Sequence, residues 1–342
     1  MPPETDELRR AVDHLVDLVN APSVTGDEAP AVDAAERIAR DDLDLSVLRM
    51  EAEPGRDNLL IGDPNPRIIL CTHLDTVPPH IDATLSDTHV YGRGACDAKG
   101  VAIAMLYATA RLFKSDKGDG LACLLVVGEE STHCGAMAAA ASDLSPQHII
   151  LGEPCGLDPA IAQKGLLKLR LSARGSSGHS AYPELGVSAV HRLLDAIERL
   201  KRVDLPNDPS LGPTTMNVGR IEGGVAANVI APSAEAILLF RCAAPVDAIL
   251  AEIRSRIGSL VTLEELNRAE PYAFNALGLS PGPAVPFNTD AHTLLDLGAS
   301  MSLMGPGDMR CAHSPREELS FQDLADGIDA YERVVGSLLA GE

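Results

Sequence analysis

Three apolar runs in this chain each end on groups that can ligate a metal, and this recurrence constrains the fold more than any other feature. Arg67-Ile-Ile-Leu70 leads into Thr72-His73-Leu74-Asp75-Thr76-Val77-Pro78. Leu121–Val127 leads into Gly128-Glu129-Glu130, and His148–Leu151 into Gly152-Glu153-Pro154. Between the first two stands Gly94-Ala-Cys-Asp97-Ala-Lys-Gly100. Ligating side chains just past buried strands are what a parallel sheet needs to build a site at its carboxyl edge. A lone His–Asp pair at a strand end, or an Asp before a helix, has an ordinary role as a surface pair or a cap. Their ordered repetition predicts a metallohydrolase.

The segments around these runs alternate. Leu8, Val12, Leu15, Val16 and Val19 recur at helical spacing and predict an opening amphipathic helix. Strands are predicted at Asn58–Ile61, Arg67–Cys71, Leu121–Val127 and His148–Leu151, with a helix over 101–112 between the second and third. This is an α/β order with a mostly parallel sheet. Gly100 then precedes the helix, and Asp97 sits in the loop at its amino end, where free amides favour anions.

From Gly165 the pattern changes, because Leu167, Leu169 and Leu171 alternate with Lys168, Arg170 and Ser172, as in a half-exposed strand. A helix carrying Val187, Val190, Leu193, Leu194, Ile197 and Leu200 follows. Strands over 214–221 and 234–241 and a helix over 246–260 complete a β-α-β-β-α order, that of a small ferredoxin-like unit. The expected domains are 1–164 and 269–342, forming a catalytic body, with 165–268 inserted. Pro281–Pro286 returns the chain to the body, which ends on a helix capped by Ser320.

The charge of −21, from 49 acids and 28 bases, argues against nucleic acid or an anionic membrane as partner, since both are polyanions. A small molecule is the expected ligand. Seven cysteines, scattered and never spaced as C-x-x-C, suggest neither a disulfide framework nor a thiolate site. The polar start Met1–Asp6 lacks a secretory pattern, and no apolar run reaches the ~20 residues of a membrane span. A cytoplasmic protein is expected.

Taken in order, His73-Leu-Asp-Thr-Val-Pro78, Gly92-Arg-Gly-Ala-Cys-Asp97-Ala-Lys-Gly100, Gly128-Glu-Glu130, Gly152-Glu-Pro154 and Ala312-His313-Ser314 resemble the dizinc aminoacylase/carboxypeptidase family over nearly the whole chain. That family includes acetylornithine deacetylase, succinyl-diaminopimelate desuccinylase and glutamate carboxypeptidase. The resemblance implies a mostly parallel-sheet, zinc-peptidase-like α/β catalytic domain with an inserted α+β ferredoxin-like dimerisation or lid domain. It implies His73 and Glu153 on one Zn2+, Glu130 and His313 on a second, and Asp97 bridging; Co2+ and Mn2+ accept the same donors. Asp75 would orient His73, and Glu129 would be the general base. His179, in Gly175-Ser-Ser-Gly-His179-Ser-Ala-Tyr-Pro183, would reach the active site of a homodimer partner and stabilise the oxyanion. Asn228 and Arg241 would grip the substrate carboxylate.

An acid of type Glu at position 153 resembles the deacetylase and desuccinylase branch. The expected substrate is therefore an N-acyl amino acid, N2-acetyl-L-ornithine or N-acetyl-L-citrulline first, within arginine biosynthesis. N-acetyl-lysine, succinyl-diaminopimelate and a dipeptide are the alternatives. A catalytically silent binder of amino-acid derivatives is the non-enzyme alternative, and it predicts the loss of a ligand or of the base.

Overall fold

Runs such as Leu121-Ala-Cys-Leu-Leu-Val126 put apolar groups on both faces of a strand, which requires cover on both sides. In the computed structural model, which describes residues 5–341, the strands Ile68–His73, Leu121–Val126 and His148–Leu151 are buried along their full length. Part of the polar amino terminus, residues 1–4, lies outside the described residues. The chain forms two units. The larger runs through Ile161 and adds Phe274–Pro283 and the chain from Thr289; the smaller is Ala162–Ala273 with Ala284–Asn288.

The sheet of the larger unit has six strands, in the order Val47–Glu53, Arg56–Gly62, Leu121–Val126, Ile68–His73, His148–Leu151, Ser300–Leu303. The last four are mutually parallel. The first two pair antiparallel, so the sheet is mixed rather than uniformly parallel. Val47–Glu53 was not anticipated, because its Arg49, Glu51 and Glu53 interrupt the apolar pattern that marks an interior strand.

Register explains why distant motifs meet. His73 lies opposite Val126, and Cys71 opposite Leu151. Glu153 therefore follows its strand by the same two residues that separate His73 from Cys71, and Glu129 emerges three past Val126. All leave the sheet at its carboxyl edge.

The helix Lys99–Lys114 is buried all round, as a helix apolar on every face must be. It packs against Asp6–Asn20 and Phe321–Ala340. It begins two residues earlier than expected, so Gly100 lies in its first turn rather than ahead of it. Thr5 and Ser320 cap the flanking helices, accepting from the Leu8 amide at 3.1 Å and the Asp323 amide at 2.9 Å.

The smaller unit is a four-stranded antiparallel sheet in the order Thr215–Gly223, Ser233–Cys242, Gly165–Arg174, Thr262–Ala269. The fourth strand, not anticipated, completes a β-α-β-β-α-β unit of ferredoxin-like order. Its charged and polar residues (Glu264, Glu265, Asn267, Arg268) hide the alternation. Leu167, Leu169 and Leu171 are buried with residues of Ala189–Lys201 and Val246–Ile257 in a core of the unit's own. The unit reaches past the expected limit at 268 because Tyr272–Ala273 pairs with Ala162–Gln163, and Gln163 bridges to Val285. No helix among the described residues is long and apolar enough to cross a membrane.

Candidate metal centre

His73 is the last residue of its strand and is buried. Its Nδ1 donates to the Asp75 carbonyl oxygen at 2.9 Å, which leaves the lone pair of Nε2 as the one that could face a metal ion. That atom is 3.1 Å from Asp97 Oδ1. The Asp75 carboxylate also stands 3.5 Å from Nδ1, and its interaction with the ring raises His73 against burial and lowers Asp75, so both the backbone and the side chain of Asp75 face the imidazole. The Asp75 side chain also accepts from the Thr25 hydroxyl at 2.7 Å and from the amides of Glu129 and Glu130 at 3.0 and 3.1 Å.

Two adjacent acids on an extended strand would point to opposite faces. Here the backbone leaves the extended form at Gly128, φ +78°, and Asp75 takes both following amides. Glu130 is thereby brought to His313, whose Nε2 lies 2.9 Å from Glu130 Oε1 and 3.2 Å from Asp97 Oδ2. Glu153, buried past Leu151, joins His73 and Asp97 in one group of donors within 4.8 Å; Asp97, Glu130 and His313 form a second. Asp97 belongs to both, one carboxylate oxygen facing each histidine.

The electrostatics follow from burial of these groups together. Burial raises the Asp97 carboxyl, but hydrogen bonds from His313 and His73 outweigh it and hold the group below the ordinary range. Hydrogen bonds to Asp97 and Glu130 push His313 up to about 10. Burial lifts Glu129 well above the usual carboxyl range, with the Asp290 and Glu130 charges adding to it against the pull of His73. Glu153 is raised by burial in the same way. Two imidazoles and three carboxylates, all O and N donors, fit a pair of Zn2+ ions.

Two supports carried no clear signal in the sequence. Glu317 is buried and ion-paired with Arg93 at 2.6 Å; only its position four residues after His313 hints at it. His133 is hydrogen-bonded to the buried Asp290 at 2.8 Å, and donor atoms of Glu129, His133 and Asp290 form a third close group. Asp290 follows Thr289 in a stretch with no readable pattern.

The remaining expected residues belong to the smaller unit. His179 is in a loop where its Nδ1 accepts from the Ala181 amide at 3.1 Å, and it bridges to Val229. The Asn228 carbonyl accepts from the Ser180 amide at 3.0 Å, so His179 and Asn228 are neighbours. Arg241 stands apart from them, donating to Asn288 at 2.8 Å.

Residues 161–261 match the description of a peptidase dimerisation domain. A peptidase M20 domain-containing protein of Schizosaccharomyces pombe is 32% identical over 345 residues, spanning 96% of this chain and 86% of that one. A protein of Aspergillus flavus described as a probable carboxypeptidase is 32% identical over 80% of this chain and 73% of its own. A tripeptidase from Staphylococcus aureus has the same fold, with a TM-score of 0.80 over 98% of this chain and 99% of that one at 21% identity. Likeness of this extent shows that the chain belongs to the M20 peptidase family of metal-dependent hydrolases acting on amide bonds.

Proposed function

We propose that the protein is a dinuclear metal hydrolase that cleaves the amide of an N-acyl amino acid, with N2-acetyl-L-ornithine and N-acetyl-L-citrulline first. The observation that carries this reading is Asp97, whose two carboxylate oxygens face His73 and His313 at 3.1 and 3.2 Å. His73 and Glu153 would hold one Zn2+, Glu130 and His313 the other, with Asp97 shared. Bound there, the two ions would supply Lewis acidity and lower the pKa of a water molecule.

Glu129 is the general base. It takes a proton from the attacking water and returns it to the departing amine. A carboxyl lifted by burial suits that exchange near neutral pH. Asp75 fixes the turn that carries it, through the Glu129 and Glu130 amides. His179 as the oxyanion donor of a homodimer, and Asn228 and Arg241 on the substrate carboxylate, keep the roles that the motif resemblance implies; an Arg fork matches a carboxylate bidentately. A cytoplasmic setting suits seven free cysteines.

A second reading is a peptidase that removes the carboxyl-terminal residue of a dipeptide or short peptide. The Aspergillus flavus relative's description as a carboxypeptidase favours it. The two are separated by assaying metal-stripped protein, with and without Zn2+ or Co2+, on N-acetyl-ornithine, N-acetyl-citrulline, N-acetyl-lysine, N-succinyl-diaminopimelate and a dipeptide panel. Metal-dependent turnover of an acyl compound supports the first reading, and turnover of peptides alone selects the second. Failure to bind metal overturns both.

A further inference from the structure

We infer that Glu129, His133 and Asp290 form a further zinc site, an inhibitory one that withdraws the general base; the inhibitory role rests on the function proposed above. One donor atom from each of the three lies within 4.8 Å of the others. Glu129 and His133 are carried by the turn after Leu121–Val126. There the Thr132 and His133 amides donate to the Gly128 carbonyl at 3.0 and 2.7 Å, and His133 adopts φ +57°. Asp290 comes from the returning chain just ahead of Ala291–Leu294. The turn and this segment meet through the His133 Nδ1–Asp290 Oδ1 contact of 2.8 Å.

The donor set, one imidazole and two carboxylates, has the same composition as His73, Asp97 and Glu153. Three protein ligands with a fourth position left to water is an ordinary zinc arrangement. Donors on bonds of about 2.1 Å in tetrahedral array stand roughly 3.4 Å apart, so a spread within 4.8 Å closes by small side-chain rotations. His292 sets the imidazole plane, packing edge-on against His133 at 4.7 Å between ring centres. Its own nitrogens are engaged by the Thr289 carbonyl at 2.9 Å and the Thr293 hydroxyl at 3.2 Å, which leaves water as the fourth ligand.

Asp290 is 4% exposed; its contact with His133 offsets one carboxylate, but the Glu129 carboxylate beside it adds a second charge that is costly without a further cation. A zinc ion there neutralises both. Bound through one Glu129 oxygen, it lowers the basicity of that carboxylate, so proton transfer from the attacking water slows while the donors that would hold the first two ions stay in place. With three protein ligands and no shared carboxylate between ions, the site fills only when zinc is in excess.

The test is equilibrium dialysis of the full chain against buffered Zn2+, with amide hydrolysis measured at the same free-zinc values and normalised to each variant's own maximum. The expected result is a third equivalent of zinc bound above the range that fills the first two, with the rate falling over that same range. His133→Asn and Asp290→Asn should each lose the third equivalent and shift inhibition at least ~10-fold to higher zinc. Glu129→Gln, read by zinc binding alone, should lose it as well. A third equivalent that persists in all three variants, or that never binds to the natural chain, overturns the inference. Loss of the first two equivalents with the His133-dependent one retained supports this site and overturns the dinuclear reading instead.

Discussion

Glu317 and Asp97 are 220 residues apart in the chain, and Oε1 of Glu317 accepts a hydrogen bond from the Asp97 amide at 3.0 Å. The same oxygen accepts from the Gly94 and Cys96 amides at 2.9 and 3.3 Å, while Oε2 pairs with Arg93 at 2.6 Å. Arg93 in turn donates to the Ser314 carbonyl, beside His313, at 3.3 Å. One buried carboxylate thus shapes the loop that presents Asp97 and ties it to the segment that presents His313.

Glu317→Ala should therefore act on folding and on the metal centre together. It strands a buried guanidinium and three amides, and breaking a buried pair from one side costs about 3–5 kcal/mol. Urea unfolding should show a loss of that order, and dialysis should show weaker zinc retention. A variant with normal zinc affinity would disconnect Glu317 from the Asp97 loop.

Glu129→Gln should separate chemistry from binding. The amide keeps the shape and the backbone contacts to Asp75 but cannot accept a proton, so kcat should fall by about 10^2–10^4. The first two equivalents of zinc should remain. Near-normal turnover would remove Glu129 from the role of base.

The parts of this site that were legible in the sequence are those written locally. The apolar runs ending at Leu70, Val127 and Leu151 showed strands buried on both faces, and each carried a residue of the candidate centre within a few positions. The pairing of Cys71 with Leu151 then made neighbours of His73 and Glu153. What was not legible depends on contacts made only after folding. Val47–Glu53 is an edge strand whose charges are met by side chains from elsewhere, Arg49 pairing with Asp33 and Glu36. Asp75 was expected to orient His73 with its carboxylate, and that group stands 3.5 Å from the ring; what the sequence did not show is that the turn at Gly128 brings two amides to the same carboxylate while the Asp75 carbonyl also accepts from the ring. Glu317 and Asp290 reach the centre from the far end of the chain, through loops with no periodicity to read.

Gly100 tests how tightly the Asp97 loop is packed. It lies in the first turn of Lys99–Lys114, where alanine would ordinarily favour the helix by up to ~1 kcal/mol. A Cβ here would collide with the Ala95 carbonyl oxygen and with a Leu319 methyl. The backbone oxygen cannot rotate away, so Gly100→Ala should destabilise by about 1–3 kcal/mol. Thermal unfolding of the variant against the natural chain measures it, and a gain in stability would mean that the turn is looser than its contacts indicate.

Lys99 gives the fold a dependence on pH whose sign is fixed by burial. Its Nζ donates to the Ala21 carbonyl at 2.8 Å, and burial pushes its ammonium down to about 7 against the pull of Glu317 and Asp75. In the unfolded chain a lysine titrates near ~10.4. Between these values the unfolded chain holds a proton that the native protein has released, so unfolding takes up a proton and stability rises with pH. Below about 7 both states are protonated, and the penalty for the buried charge is complete and constant. Lys99→Met removes the titration, while the lost hydrogen bond to Ala21 contributes a cost that does not vary with pH. Unfolding free energies of the two proteins, measured from pH 6 to 9.5, should show the natural chain gaining on the variant as pH rises through and above 7. The gain is bounded by about 1.4 kcal/mol per pH unit for a single proton. Because the other titrating groups are common to both chains they cancel in the difference, and a difference flat across that window would mean that Lys99 keeps its charge in the native core.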